Sequence, residues 1–159
     1  MDVFNLTVKQ ISAKIKDAQL TSVDLCKSYI ERIKKFEKDI HAWAHFDEKI
    51  LLEKAEESDN HRRSGKPLGL LHGIPVALKD IIGTLDMPTE CGTVFRKGMS
   101  ASQDAEVVDL LKTEGAIIMG KTATSELAYY SPSKTKNPHD YSRTPGGSSS
   151  GSAAVVASH

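Results

Sequence analysis

The segment that most constrains this chain is a run of glycine and serine that leads directly into small apolar residues. Residues 145–152 are Pro-Gly-Gly-Ser-Ser-Ser-Gly-Ser, and residues 153–157 are Ala-Ala-Val-Val-Ala. A flexible linker is normally followed by polar sequence or a new domain. Small apolar helix formers after such a run are instead typical of a tight loop that feeds a buried helix. The segment therefore predicts hydroxyls and backbone N–H groups at the start of a helix, where partial positive charge accumulates.

The sequence of this loop allows three interpretations, each of which implies a different function. A phosphate-binding loop requires the spacing G-x-x-x-x-G-K-[ST], and no lysine follows Gly151, so this interpretation is the weakest. A bare linker is the second, and the apolar residues behind the loop count against it. The third is a hydroxyl-rich catalytic loop.

The hydrophobic pattern changes at residues 64–67, Ser-Gly-Lys-Pro, which break the preceding helical period. Before this point, residues 7 to about 60 predict helices. Thr7 to Gln10 fits a capping box, and Thr21 to Asp24 fits a second helix start. A third, charged helix is expected over residues 47–60, lying across the surface of a larger body.

After this break, short apolar runs alternate with glycine and proline. Residues 74–78 and 116–119 predict strands, and residues 105–114 predict the helix between them. This order favours an α/β sheet, in which consecutive strands tend to be parallel and ligands collect at their carboxyl ends.

Lys79 stands at the end of the first predicted strand. Burial without a carboxylate partner disfavours the charged form of a lysine, and a neutral amine can accept a proton. The alternative is a surface lysine paired with the adjacent Asp80. Position alone gives the two interpretations equal weight.

The balance of charge excludes some partners. Lys+Arg and Asp+Glu both number 21, so the chain has no overall positive field for nucleic acid or an anionic membrane, and a small neutral substrate is expected. Cys26 and Cys91 lie far apart, which predicts reduced structural thiols. The chain has neither a secretory signal nor the ~20 apolar residues of a membrane span, so a cytoplasmic location is expected.

Two separated segments together resemble the amidase signature family: G-I-P-V-A-L-K-D at residues 73–80 and P-G-G-S-S-S-G-S-A-A at residues 145–154. The segments 104–112, 115–122 and 136–140 resemble family segments in the same order. This resemblance implies an amidase-signature fold, a mixed and largely parallel sheet flanked by helices. Residues 1–159 would form the N-terminal part of one amidase domain, with a helical segment at 1–64 and the start of the α/β core at 65–159.

The resemblance also implies a mechanism. Family members use a Ser–cis-Ser–Lys triad, and its lysine and bridging serine match Lys79 and Ser148. Neutral Lys79 would draw a proton through Ser148 from a nucleophilic serine, which attacks the amide carbonyl to form an acyl-enzyme. A cis peptide before Ser148 is implied, and no cofactor or metal is expected. The nucleophile is expected in a second glycine-serine motif beyond residue 159, so the fragment alone should be inactive.

Three functions remain open. The segment between Lys121 and Asn137 is shorter and more aromatic than the corresponding segment in the A subunit of the tRNA-dependent glutamine amidotransferase. In addition, His139 stands where that subunit usually has tryptophan. Both differences favour a general bacterial amidase. The amidotransferase subunit is the first alternative, and a truncated non-catalytic module is the second. In the favoured case the partner is a small-molecule amide, with no direct nucleic-acid or membrane contact. The full-length enzyme could form a homodimer.

Overall fold

A computed structural model describes residues 2–158 of the chain. The main elements, in chain order, are α1 (Val8–Lys16), α2 (Ser22–Ile40), β1 (Trp43–Phe46), α3 (Glu48–Arg63), β2 (Pro75–Lys79), α4 (Glu106–Thr113), β3 (Ile117–Thr122) and α5 (Ser150–Ala157). Within the described range, no helix is both long and apolar enough to cross a membrane. This combination of helices and strands confirms the predicted α/β class.

The first two helices begin where the sequence predicts. At α1, the Thr7 hydroxyl accepts a hydrogen bond from Gln10 N, and the Gln10 side chain accepts one from Thr7 N, which completes the capping box. At α2, Asp24 N donates to Thr21 Oγ1 at 3.0 Å, and Thr21 Oγ1 donates to the Asp24 carboxylate at 2.7 Å. Both caps satisfy backbone N–H groups that have no partner inside the helix.

The prediction of helices throughout residues 7–60 is wrong at β1. The helix α2 ends before His41, which has a positive φ of 56°. The Glu37 carboxylate then accepts hydrogen bonds from Ala42 N at 2.9 Å and Trp43 N at 3.0 Å, so the chain leaves the helix in an extended conformation. A strand of four residues is too short for its hydrophobic alternation to be recognised in the sequence.

The strands form one sheet in the order β1-β3-β2. The strand β1 runs antiparallel to β3, with Trp43 opposite Thr122. Between β2 and β3, Ile117 N donates to Ile74 O at 2.9 Å, and Asp80 N donates to Thr122 O at 3.0 Å. These bonds advance in the same direction along both strands, so the pair is parallel and the sheet is mixed. The carboxyl ends of β2 and β3 therefore lie at the same edge.

The elements belong to two compact units. The first comprises Met1–Arg32, Asp47–Val76 and Val107–Met119, and its buried apolar core consists of Val3, Ile11, Ile15, Leu20, Leu25 and Ile74. The second comprises Ile33–Phe46, Ala77–Glu106 and Gly120–His159, and its buried cluster consists of Ile40, Ala42 and Ala154. Lys79 and Ser148, the two residues matched to catalytic positions, both belong to the second unit.

Candidate active site

The strand β2 carries Lys79 as its last residue. Immediately afterwards the chain reverses, because Ile81 N and Ile82 N both donate to Lys79 O, at 2.8 and 3.0 Å. The next residue, Asp80, is held to the end of β3 by the hydrogen bond from its backbone N to Thr122 O. The backbone on both sides of Lys79 is therefore fixed, and its half-buried side chain starts from a rigid position.

The glycine-serine loop is attached to the segment that follows β3. Ser125 N donates to Ser148 O at 3.0 Å, and Gly151 N donates to Ala123 O at 2.8 Å. The Gly147–Ser148 peptide is cis, as expected from the resemblance. The helix α5 begins two residues later, at Ser150, so the sequence-based prediction of a loop that feeds a helix is confirmed.

Lys79 and Ser148 meet through their side chains. Lys79 Nζ lies 2.5 Å from Ser148 Oγ, although the two residues are 69 positions apart in the sequence. A proton can pass directly between an amine and a hydroxyl that share a hydrogen bond of this length. The expected proximity of the two side chains is confirmed, while their catalytic roles stay predictions.

The other serines of the loop have different surroundings. Ser150 is 2% exposed at the start of α5. Ser152 Oγ lies 2.7 Å from Thr122 Oγ1, and Thr122 Oγ1 donates to Leu78 O at 3.3 Å. Because the threonine hydroxyl has only one proton, it accepts the hydrogen bond from Ser152. Ser152 therefore fastens α5 to the sheet, whereas Ser148 contacts the lysine.

A fully buried lysine, which the sequence analysis did not single out, lies on β3. Lys121 has no exposed surface, and its Nζ donates to Thr89 Oγ1 at 2.7 Å, Pro88 O at 3.1 Å and Thr84 Oγ1 at 3.4 Å. The same nitrogen lies 3.7 Å from Asp80 Oδ1. Burial lowers the pKa of Lys121, and the Asp80 carboxylate opposes that shift.

Asp80 is the buried acidic partner, and it directly follows Lys79. Its carboxylate accepts hydrogen bonds from Glu90 N at 3.1 Å and Gly92 N at 3.4 Å. Burial raises the pKa of Asp80, and the two backbone amides and Lys121 oppose that shift. The Asp80 carboxylate thus pairs with Lys121, and Lys79 is the partner of Ser148. This pairing contradicts the alternative of a surface Lys79–Asp80 pair.

Other side chains considered from the sequence lie elsewhere. Buried His72 has its Nε2 atom 3.2 Å from Ser58 Oγ, and His139 is exposed in a turn. Tyr129 and Tyr130 are 85% and 88% exposed. Over residues 2–158, no group of three or more His, Cys, Asp or Glu side chains is arranged to hold a metal ion.

Comparisons with known proteins show which proteins the chain is similar to. The family model described as Amidase matches residues 24–159. The chain is 40% identical to a glutamyl-tRNA(Gln) amidotransferase subunit from Clostridium acetobutylicum, over 99% of this chain and 34% of that protein. It therefore spans about a third of the length of the curated relatives that it matches.

Solved structures show the same fold. The X-ray structure of native peptide amidase from Stenotrophomonas maltophilia matches with a TM-score of 0.91 and 33% identity, over 98% of this chain and 34% of that chain. A fatty acid amide hydrolase matches with a TM-score of 0.86 and 28% identity, over 94% of this chain and 27% of that chain. The relatives include both amide hydrolases and amidotransferase subunits.

Proposed function

The chain belongs to the amidase family, and on this premise we propose that it is part of an enzyme that hydrolyses a carboxylic amide to an acid and ammonia or an amine. The observation that carries the proposal is the 2.5 Å contact between Lys79 Nζ and Ser148 Oγ. Lys79 is the base, Ser148 relays the proton, and the nucleophilic serine lies beyond residue 159. The greater length of the matched relatives supports a longer enzyme.

The reaction has two stages. The hydroxyl proton of the nucleophilic serine passes to Ser148 Oγ as the Ser148 proton passes to Lys79 Nζ, and the serine oxygen bonds to the amide carbon. The same relay returns a proton to the leaving nitrogen as the carbon–nitrogen bond breaks. In the second stage the relay takes a proton from water as the water oxygen bonds to the acyl carbon, and it returns a proton to the serine oxygen as the bond between the acyl carbon and that oxygen breaks. The acid is then released.

The amidotransferase subunit is the second candidate, and the 40% identity to such a protein favours it. In that case glutamine is the amide, and the ammonia that is released goes to a second substrate. A non-catalytic module is a third interpretation, which predicts that neither simple amides nor glutamine is hydrolysed. The substrate in both catalytic cases is a small molecule. The cytoplasmic location, the possible homodimer and the absence of nucleic-acid and membrane contact stay predictions.

The test uses the longest protein encoded by the reading frame that carries this chain. We expect ammonia release from simple amides, and a decrease in kcat on the order of 10²–10⁴-fold in Lys79→Ala and Ser148→Ala. Lys134→Ala and Ser102→Ala, which change an exposed lysine and an exposed serine of the same unit, should keep full activity. Release from glutamine alone would favour the amidotransferase subunit. Unchanged rates in both active-site variants would overturn the proposed triad.

A further inference from the structure

The turn that begins at Ser125 is attached to the loop that carries Ser148. Ser125 N donates to Ser148 O at 3.0 Å, and Ala128 N donates back to Ser125 O at 2.8 Å. Glu126 N donates to Ser131 O at 2.9 Å, which closes the turn around the residues between them. The turn therefore starts at the residue that holds the Ser148 backbone, and hydrogen bonds fix its shape.

The backbone at the tip of this turn is strained. Leu127 and Ala128 have positive φ values of 49° and 57°, in the left-handed region that residues with a Cβ atom seldom adopt. Leu127 N donates to Cys91 O at 2.8 Å, which holds the strained conformation in place. Strain of this kind is concentrated at active sites and ligand clamps, so the tip is a candidate for ligand binding.

The strained tip presents large side chains to solvent. Tyr129 and Tyr130 are 85% and 88% exposed, and Leu127 is 63% exposed. The two tyrosine rings are neighbours, with centroids 6.3 Å apart and planes inclined by 47°. Adjacent aromatic rings offer apolar surface against which the ring of a ligand can pack edge-to-face or offset. The tip is thus suited to bind an aromatic group.

We propose that residues 127–130 form a specificity subsite, in which Tyr129 and Tyr130 bind an aromatic group of the amide substrate. This inference rests on the proposed function. The occupant is part of the substrate because the turn is bonded to the loop that carries the proton relay, through Ser125 N and Ser148 O. The tyrosines transfer no proton. They determine which amides bind well.

The test measures kcat/KM of the full-length enzyme for three amides. Acetamide has no ring, phenylacetamide carries a ring on the acyl side, and N-benzylacetamide carries one on the amine side. The wild type should prefer at least one aromatic amide over acetamide. Tyr129→Ala and Tyr130→Ala should each reduce this preference by roughly tenfold, mainly through KM. Tyr129→Phe keeps the ring and should keep the preference.

Tyr141→Ala is the matched control. Tyr141 is a tyrosine of the same unit that is 42% exposed, and it lies outside residues 127–130. Its replacement should leave both the activity and the preference for aromatic amides at the wild-type level.

A second readout does not depend on turnover. Ser148→Ala removes the proposed relay, so a ligand-observed NMR titration of this variant can measure the Kd of each amide without hydrolysis. Adding Tyr129→Ala or Tyr130→Ala should raise the Kd of the preferred aromatic amide by roughly tenfold. Adding Tyr141→Ala should leave this Kd unchanged.

The outcomes separate this inference from the proposed function. If the wild-type protein hydrolyses no amide but binds an aromatic amide through Tyr129 and Tyr130, the proposed function fails and the subsite stands. A wild type without preference for either aromatic amide would overturn the subsite, as would stable alanine variants that keep the wild-type preference. Alanine variants that are insoluble would also overturn it, because the rest of the enzyme would then cover the two rings.

Discussion

Thr122 Oγ1 accepts a hydrogen bond from Ser152 Oγ at 2.7 Å, which joins the last residue of β3 to the first turn of α5. The same threonine hydroxyl donates to Leu78 O on β2. One side chain thus connects both strands to the helix that follows Ser148. The distance between Lys79 Nζ and Ser148 Oγ should therefore depend on this connection.

We expect Thr122→Val to lower the free energy of unfolding by about 1–3 kcal/mol, because it removes the donor to Leu78 O and the acceptor of the Ser152 hydroxyl. Ser152→Ala should cost about 1 kcal/mol. Urea denaturation of the two single variants and the double variant gives the coupling energy between the hydroxyls. If the losses of stability in the two single variants add up to the loss in the double variant, the coupling energy is zero, and the hydrogen bond between Thr122 and Ser152 contributes no stability.

Gly151→Ala should prevent correct folding of the loop. A Cβ atom on Gly151 would overlap Ala42 O and Ala123 N, which are both backbone atoms and cannot rotate away. Gly98→Ala is the control, since nothing lies within 4 Å of its Cβ position, although its φ of +74° makes alanine cost about 1–2 kcal/mol. Soluble expression and circular dichroism should distinguish the two. A native spectrum for Gly151→Ala would contradict the close approach.

The stability of the first unit should fall in mild acid because of His72. Burial is the main cause that lowers the pKa of this histidine, so the folded state holds it neutral while the unfolded chain binds a proton below pH ~6.5. The stability that neutral His72 contributes is thus fully present above this pH. It is lost as the pH falls toward the lowered pKa of His72 in the folded state. Urea midpoints at pH 7.5 and 5.5 should differ more in the wild type than in His72→Gln. Equal differences would show that other groups cause the loss.

The two cysteines should differ in reactivity. Burial, and to a smaller extent Asp59, raises the pKa of Cys26 to about 12, and the thiolate is the reactive form. Cys91 is only partly buried. A thiol-reactive chromophore should label one cysteine in the native protein and two in urea. Cys91→Ser should abolish the native labelling, and persistent labelling of that variant would contradict the burial of Cys26.

The 159-residue chain alone should release no ammonia from any amide. Lys79 and Ser148 can only move a proton, and loss of a single oxyanion donor already costs ~10²–10³ in rate. Assays of the purified chain beside the full-length enzyme test this expectation. Turnover by the short chain that disappears in Lys79→Ala would place a nucleophile within it, with Ser149, Ser150 and Ser152 as the candidates.

The sequence predicts those parts of the fold that depend on neighbouring residues. The predicted strands 74–78 and 116–119 correspond to Pro75–Lys79 and Ile117–Thr122, because short apolar runs between turn residues are local signals. The contact between Lys79 and Ser148 was expected from the two motifs through family resemblance. It could not be derived from spacing, since it joins residues 69 positions apart.

Other features depend on partners that are distant in the chain. The burial of Lys121 could not be read from its strand, because it requires the oxygen atoms of Thr84, Pro88 and Thr89 to gather around one nitrogen. The strand β1 requires the edge of β3 and the carboxylate of Glu37. The sequence does contain one signal of this burial, which is the position of Lys121 directly after a run of apolar residues.

The sheet order β1-β3-β2 has a consequence for biosynthesis. The strand β1 leaves the ribosome before α3, β2 and α4, yet its pairing partner β3 follows all of them. Until β3 is synthesised, Trp43 and Phe46 lack the strand with which they pair in the folded chain. Segments without their pairing partner attract chaperones and nonspecific strand pairing. A nascent chain stalled before β3 is available should therefore be cleaved by protease near residues 43–46. A chain in which residues up to Thr122 have left the ribosome should be protected there.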